Sequence, residues 1–286
     1  MQDFTISSSS PIDKSNSLGI FSPTKRYEPE TKSREWRIAQ WGTRLPIYPS
    51  DFKMTKDNLW IAENDCKRIE IYFADSGSYL KLFCKGISEL NGRLRKYGEP
   101  WPHLLIEYKF SPIISPANSK IGFEIKFRIT NCTVDPNLLS KIDNSLHTAQ
   151  ITAYWTIANK NPNSNDYNDY FWFGIPLFDY RYPIPPKYFD LDKGAPTTTN
   201  KLIYVVDGNT LWKEPTGDGK EKYLNISLSP IIKNAIKEIK DKGFFVNSNI
   251  SDFYLTSFNL GWEITGPFNA EVEITKLNFT AKIEGD

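Results

Sequence analysis

Histidine, methionine and cysteine are scarce in this sequence, with two, two and three residues in a chain of 286. Cys66, Cys84 and Cys132 cannot all pair within the chain, so we expect buried or free thiols and at most one disulfide. Their spacings fit no zinc pattern, and only His103 and His147 are available to add imidazole ligands. Oxygen-ligated calcium stays open, but no D-x-D-x-D-G loop supports it. We therefore predict no metal site and no cofactor.

An excess of charge and a long apolar run are also missing. The 35 basic and 34 acidic side chains leave a net charge of +1, which provides no general field to attract nucleic acid. No stretch approaches the ~18 apolar residues of a membrane span. We therefore expect no nucleic-acid partner and no membrane span.

The first 22 residues lack the basic start and the apolar core of a signal peptide. A secreted or cell-surface protein whose signal peptide had been removed would look the same, so the location of the protein stays open. The segment is rich in serine, and we predict a flexible tail over residues 1–30 followed by a single domain over residues 31–286.

Aromatic side chains, in contrast, are abundant: 15 Tyr, 18 Phe and 8 Trp make up 14% of the chain. Such residues suit a half-buried pleated surface, so the composition favours β structure. Apolar and polar residues alternate with period two over 68–73 and 79–85, and a turn separates these segments. Further strands are predicted at 104–110, 121–130, 149–158, 170–175, 201–206, 222–228, 253–264 and 270–283.

One amphipathic helix is predicted after Ser229, which can cap it, with Pro230 at its first position and Gly243 just past its end. A second, short helix is expected near 136–142. The predicted fold is therefore mainly β: a two-sheet antiparallel β-sandwich or jelly roll with one amphipathic helix on its convex side.

The segment Tyr254-Leu255-Thr256-Ser257-Phe258-Asn259-Leu260-Gly261-Trp262-Glu263, followed by Gly266, resembles a motif of glycoside hydrolase family 12. These are small endoglucanases with a concanavalin A-like jelly roll. The resemblance implies that Glu263 holds the position of the general acid/base. Weaker likenesses occur at Asn168-Asp169-Tyr170, at Tyr182-Pro183-Ile184 and at Asn58-Leu59-Trp60, where the family's Trp stacks on a sugar ring.

One departure from the family pattern matters for activity. Where the family has Tyr-Glu, with that Glu as nucleophile, this chain has Tyr170-Phe171. Phenylalanine can neither form a glycosyl ester nor stabilise an oxocarbenium ion. A retaining mechanism needs two carboxylates about 5–5.5 Å apart, and an inverting one needs roughly 6.5–9.5 Å. Asp169 lies two positions before Phe171 on the same strand face, so Asp169 with Glu263 is the candidate inverting pair. Asp179 has the same parity, but we expect Pro176 to break the strand before it. Glu107 and Glu124 are further strand carboxylates that can face inward.

Eight tryptophans are available to stack on sugar rings, although most are expected in the core. If Phe171 faces the groove, Trp172 cannot, and Trp60 and Trp155 are better platforms. The other predicted substrate-binding residues are Asn58, His103 and Trp262. His103 shares a strand face with Glu107, and either a structural role or sugar hydrogen bonding fits it. Asp179 and Arg181 are predicted to form a structural salt bridge.

Neither a G-x-S-x-G elbow, nor a P-loop, nor a G-x-G-x-x-G loop occurs, so serine hydrolysis and nucleotide chemistry have no support. Three functions remain. The leading hypothesis is recognition of a β-linked polysaccharide or oligosaccharide in the concave groove of a glycosidase-like jelly roll. The second is an active, endoglucanase-like glycoside hydrolase with Glu263 as acid/base and a relocated second carboxylate. The third is a structural or protein-interaction sandwich whose groove is plugged.

Overall fold

The computed structural model describes residues 36–55, 59–72, 77–193 and 198–283. Two seven-stranded sheets pack face to face as a β-sandwich of the jelly-roll type, which confirms the predicted fold class. The first sheet consists, in spatial order, of β1 (Trp36–Ala39), β6 (His103–Ile114), β13 (Phe253–Ile264), β8 (Ala149–Asn159), β9 (Tyr170–Asp179), β11 (Leu202–Val205) and β10 (Tyr188–Leu191). All its neighbouring strands run antiparallel except β9 and β11, which are parallel.

The second sheet covers the inner side of the first. In spatial order it consists of β12 (Lys222–Ser227), β7 (Ser119–Val134), β14 (Phe268–Ile283), β5 (Tyr79–Lys85), β4 (Lys67–Tyr72), β3 (Leu59–Glu63) and β2 (Lys53–Met54). The strands predicted at 68–73 and 79–85 are β4 and β5, so the period-two pattern located them to within one residue.

Three α-helices occur in the described chain: α1 (Gly86–Glu89), α2 (Pro136–Leu139) and α3 (Leu228–Asp241). Short 3-10 turns lie at Pro49–Asp51, Gly208–Thr210 and Ile250–Asp252. None of the described helices has the length and apolar character that a membrane crossing requires.

Helix α3 is the predicted amphipathic helix, and its apolar side is buried. It contacts β7 of the second sheet, and Glu238 on the helix accepts a hydrogen bond of 2.9 Å from the Tyr204 hydroxyl on β11 of the first sheet. Gly243 takes a φ of +88° just past the helix end, as predicted. The predicted cap is wrong: the helix begins after Ser227, and the Ser229 hydroxyl instead donates to the Ser119 carbonyl and accepts from the Ile121 amide.

The core lies between the two sheets and is rich in aromatic rings. Trp155 is at its centre and is fully buried, with rings from both sheets around it. Phe123, Phe173, Phe258 and Phe279 have ring centroids 5.0–6.1 Å from that of Trp155. Many of the aromatic residues that are abundant in the sequence therefore serve to join the two sheets.

All three cysteines are free thiols, and Cys66 and Cys84 are buried. Burial raises the pKa of the Cys132 thiol to about 12, so this side chain stays protonated at neutral pH. The thiols thus act as small core side chains, as the sequence predicts.

Candidate functional site

The outer face of the first sheet, which points away from the core, carries the polar strand residues. Along β8 the residues Ile151, Ala153 and Trp155 are buried between the sheets, so the alternate positions from Gln150 to Thr156 point outward. Strand pairing places Asn259 and Glu263 of β13 on the same side. We call this surface the polar face; its central members are His103, Gln150, Thr152, Tyr154, Asp179, Asn259 and Glu263.

Four of these side chains lie in one row across four neighbouring strands. Glu263 is the strand partner of His103 on one side and of Gln150 on the other, and Gln150 is in turn the partner of Asp179. The Gln150 amide donates a 2.8 Å hydrogen bond to Glu263 Oε2. Because neighbouring strands are about 4.8 Å apart, the backbones of Glu263 and Asp179 lie roughly 10 Å apart with Gln150 between them.

Asp179 is held firmly by its neighbours. Arg181 donates to it through Nε at 2.9 Å and through a terminal nitrogen at 2.6 Å, and the Thr148 hydroxyl donates at 2.8 Å. Burial lowers the pKa of Arg181, but the hydrogen bond and charge of Asp179 outweigh it and leave that pKa raised. Arg181 also donates a hydrogen bond of 3.3 Å to the side-chain amide oxygen Oε1 of Gln150, so the row from Glu263 to Asp179 is one connected network. The predicted Asp179–Arg181 salt bridge is confirmed.

Tyr154 lies beside this network, opposite Asn259 and Gly174. A Cβ on Gly174 would sit 2.7 Å from the Tyr154 ring, so only glycine leaves room for the ring across β9. Burial raises the pKa of the Tyr154 phenol, and the nearby Glu263 carboxylate raises it further. The phenol therefore stays a neutral hydrogen-bond donor beside a carboxylate.

Glu107 also lies on the polar face, opposite Asn259 and four residues along β6 from His103. It is buried, and Arg37 of β1 donates to it from Nε at 2.6 Å. This pair neutralises its own charge and stands apart from the row.

The sequence matches no protein-family model, and it matches no curated protein. Among solved structures, the family 11 xylanase from Neocallimastix patriciarum matches at 12% identity with a TM-score of 0.44, over 86% of this chain and 100% of that chain. The family GH12 endoglucanase 3 from Trichoderma harzianum matches at 14% identity with a TM-score of 0.41, over 89% of this chain and 100% of that chain. Endoglucanase Cel12A from Rhodothermus marinus matches at 11% identity with a TM-score of 0.39, over 86% and 99%.

This chain is similar in fold to glycoside hydrolases of families 11 and 12. At these identities and TM-scores the likeness concerns the fold alone.

Three residues predicted for the groove lie in the core instead. Trp155, Phe171 and Trp262 each have no exposed surface. The predicted orientation of Phe171 is wrong: its partner on β8 is the buried Ile157, whereas Trp172 pairs with the outward-facing Thr156. Phe171 packs inside against Phe245 and Phe253, and the half-exposed Trp172 is on the polar face. The Trp262 indole donates 2.8 Å to the Leu82 carbonyl across the core.

Asp169 is far from Glu263, and the proposed inverting pair of these two residues is wrong. Tyr170, next to Asp169, is the partner of Ala158, while Glu263 is the partner of Gln150, eight residues away along β8. At about 3.3 Å per residue this is a separation of roughly 26 Å, well beyond the span of an inverting pair. Asp169 forms a salt bridge of 2.6 Å with Lys201 instead. Glu124 belongs to the second sheet, where it pairs with Lys276 at 2.7 Å.

The remaining predicted residues fall in three places. Trp60 is on β3 of the second sheet, partly buried against the core and away from the polar face. Asn58 lies outside the described residues, as does the tail predicted over residues 1–30. His103 is on the polar face directly beside Glu263, so of the predicted site residues these two come together.

Gln150 and Tyr154 were not predicted from the sequence, and Asp179 was set aside because a strand break was expected before it. The first two carried a readable signal, because Gln150, Thr152, Tyr154 and Thr156 alternate with apolar residues. Asp179 carried no such signal. The predicted break at Pro176 is wrong, because β9 runs through it to Asp179. The register skips Leu177 between Pro176 and Phe178, and this bulge turns Asp179 to the polar face.

Proposed function

We propose that the polar face binds a β-linked polysaccharide. The observation that carries this proposal is the connected row Glu263–Gln150–Arg181–Asp179 with half-exposed aromatic rings on the same face. Carboxylate, amide and guanidinium groups are planar and offer paired acceptors or donors, which suits the adjacent hydroxyls of a sugar.

The aromatic part of the face supports the same ligand. Trp172 and Tyr154 are half-buried on the outer side of the sheet, and Tyr188 of β10 is 49% exposed at its edge. Such rings can stack on the C–H face of a pyranose while their polar tips reach its rim. A sheet of seven strands also gives an extended surface, which matches an extended polymer better than a small molecule.

The charge balance favours a neutral polymer. Asp179 is neutralised by Arg181, and Glu107 by Arg37, so Glu263 is the one carboxylate of the polar face with a neutral partner among the hydrogen bonds described. A strongly anionic ligand would meet this carboxylate, and a strongly cationic one would meet Arg181 and Arg37.

The test is affinity electrophoresis in gels containing soluble β-glucans, xyloglucan or mannans. We compare wild type with Glu263→Ala, Gln150→Ala and Glu273→Gln, the last a control on the outer face of the second sheet. Retardation of wild type and of the control, with loss in the two polar-face variants, supports the proposal. If no polysaccharide retards the wild type, or all four proteins migrate alike, the polar face is not the binding site.

Hydrolysis is the second candidate function, because Glu263 and Asp179 flank Gln150 on one face. Their backbone separation of roughly 10 Å is compatible with an inverting pair. Against it, Asp179 already accepts hydrogen bonds from Arg181 and Thr148, which leaves it poorly placed to activate water. The discriminating measurement is reducing-sugar release by wild type, Glu263→Gln and Asp179→Asn. Sugar release by the wild type that disappears in both variants establishes an enzyme. If the wild type binds a polysaccharide clearly but releases no sugar, recognition without hydrolysis is supported.

A further inference from the structure

An exposed tryptophan extends the row of the polar face by one strand. β1 pairs with β6 up to Ala39 and Leu105, and the same register continues to Trp41 and His103. The His103 backbone amide donates a hydrogen bond of 2.9 Å to the Trp41 carbonyl, and the centroids of the two side-chain rings are 5.5 Å apart. Trp41 is 50% exposed. The backbone of Trp41 therefore lies about 10 Å from that of Glu263, two strands away. Asp179 lies at a similar distance on the other side of Glu263.

The loop that carries Trp41, residues 40–47, is fixed at both ends and is called the Trp41 loop. The Gln40 side chain closes the loop with two hydrogen bonds: it accepts one of 2.9 Å from the Ile47 amide and donates one of 2.7 Å to the Ile47 carbonyl. Gly42 turns the chain at a φ of +64°, and a Cβ there would come within 2.3 Å of the Trp101 carbonyl oxygen. A larger residue at position 42 would displace the turn and the indole beside it.

A buried ion pair anchors the middle of the Trp41 loop. Lys67 of β4 and Glu89 of α1 contact each other with no exposed side-chain surface. Glu89 accepts 2.7 Å hydrogen bonds from the Thr43 hydroxyl and from the Arg44 amide. Lys67 donates 3.0 Å to the Leu45 carbonyl. The second sheet thus holds the loop that places an aromatic ring at the edge of the first.

We propose that Trp41 is the aromatic platform that stacks on a sugar ring whose hydroxyls reach His103 and Glu263. This inference rests on the proposed function and adds a residue and a position to it. The indole offers an apolar face for sugar C–H groups, and His103 and Glu263 offer polar atoms beside it. A ring that is already fixed before binding loses little further freedom on binding, which favours affinity.

The experiment measures binding of the best-retained polysaccharide by isothermal titration calorimetry and by tryptophan fluorescence. The variants are Trp41→Ala, Trp41→Phe and Glu263→Ala. The matched control is Tyr223→Ala, since Tyr223 is 51% exposed on the outer side of the second sheet. Circular dichroism checks that each variant is folded.

The expected result is binding about tenfold weaker for Trp41→Ala, the size of loss seen when an aromatic anchor is truncated. Trp41→Phe keeps an aromatic ring and should lose less affinity, and Tyr223→Ala should bind like wild type. The change in tryptophan fluorescence on binding should be mostly lost in Trp41→Ala. If Trp41→Ala binds like wild type while Glu263→Ala does not, the platform is wrong and the proposed function stands. If wild type binds no polysaccharide, both are wrong.

Discussion

Two fully buried tryptophans of the core differ in one hydrogen bond. The Trp262 indole N–H donates 2.8 Å to the Leu82 carbonyl, which ties β13 of the first sheet to β5 of the second. The Trp155 indole N–H has no acceptor among the described residues, although its ring is surrounded by aromatic side chains. A buried N–H without a partner costs free energy, whereas a hydrogen bond offsets part of that cost.

Replacing each tryptophan with phenylalanine should therefore have unequal effects. Both changes remove similar ring volume, but Trp262→Phe also breaks a buried hydrogen bond, and Trp155→Phe removes an unpaired donor. We expect Trp262→Phe to lower the free energy of unfolding by about 1–3 kcal/mol more than Trp155→Phe. Urea unfolding followed by circular dichroism measures both values. Equal losses, or a larger loss in Trp155→Phe, would contradict this account.

Single residues also show what the sequence could reveal about the site. Glu263 was predicted as a site residue from the motif around it, and its neighbour His103 was predicted as a sugar contact. Gln150, which donates to Glu263, was readable from the alternation along β8 but was not singled out. Sequence separation explains the omission, since Gln150 and Glu263 are 113 positions apart in the chain and only strand pairing brings them together.

For strands and helices, period-two patterns predicted well where strands lie, but they predicted poorly which side chains of a strand point to the core. β4 and β5 were located almost to the residue, yet Phe171 was assigned to the wrong side of β9, and Asp179 was set aside because a strand break was expected at Pro176. Alternation gives two faces but does not say which one meets the core. The bulge at Leu177 then reverses the parity of everything that follows it. A local insertion of one residue thus decides whether a carboxylate joins the polar face.

The Trp41 loop depends on an element contact that permits a sharper prediction. Glu89→Gln removes one charge of the buried pair and leaves Lys67 charged without a counter-ion. We expect this single change to cost about 3–5 kcal/mol of unfolding free energy. Adding Lys67→Met removes the stranded charge, so the double variant should regain much of the loss. The amide introduced at position 89 can still accept from the Thr43 hydroxyl or the Arg44 amide in both proteins.

Urea unfolding of wild type, the two single variants and the double variant gives the coupling energy directly. Additive losses would show that Lys67 and Glu89 do not depend on each other. Acrylamide quenching of tryptophan fluorescence in the folded proteins adds a local readout. Quenching should increase in Glu89→Gln if the anchored loop loosens around Trp41.

For the whole molecule, the outer faces of the two sheets both carry ion pairs and exposed aromatic rings, but they differ in how their polar side chains are connected. The second sheet carries cross-strand ion pairs, with Glu273 between Lys81 at 3.3 Å and Arg128 at 2.8 Å, and Glu124 beside Lys276 at 2.7 Å. Charges paired in this way keep a surface hydrated and discourage association with other sheets. The polar face has ion pairs of its own, Arg37–Glu107 and Arg181–Asp179, but there the uncharged amide of Gln150 connects Arg181 to Glu263. This uncharged link suits the hydroxyl groups of a neutral sugar, in line with the first sheet as the proposed ligand-binding side.

The proposed neutral ligand predicts how binding responds to salt. A neutral polysaccharide releases no counter-ions when it binds, and a protein of net charge +1 exerts little long-range attraction. We therefore expect the dissociation constant to change by less than about twofold between ~0.05 and ~0.5 M NaCl. Calorimetry at several salt concentrations measures it, with Glu273→Gln as the control for the second sheet. A steep loss of affinity with salt would point to an anionic polymer held by the basic side chains. In that case the hydrogen-bonded row from Glu263 to Asp179 would not be what the ligand recognises.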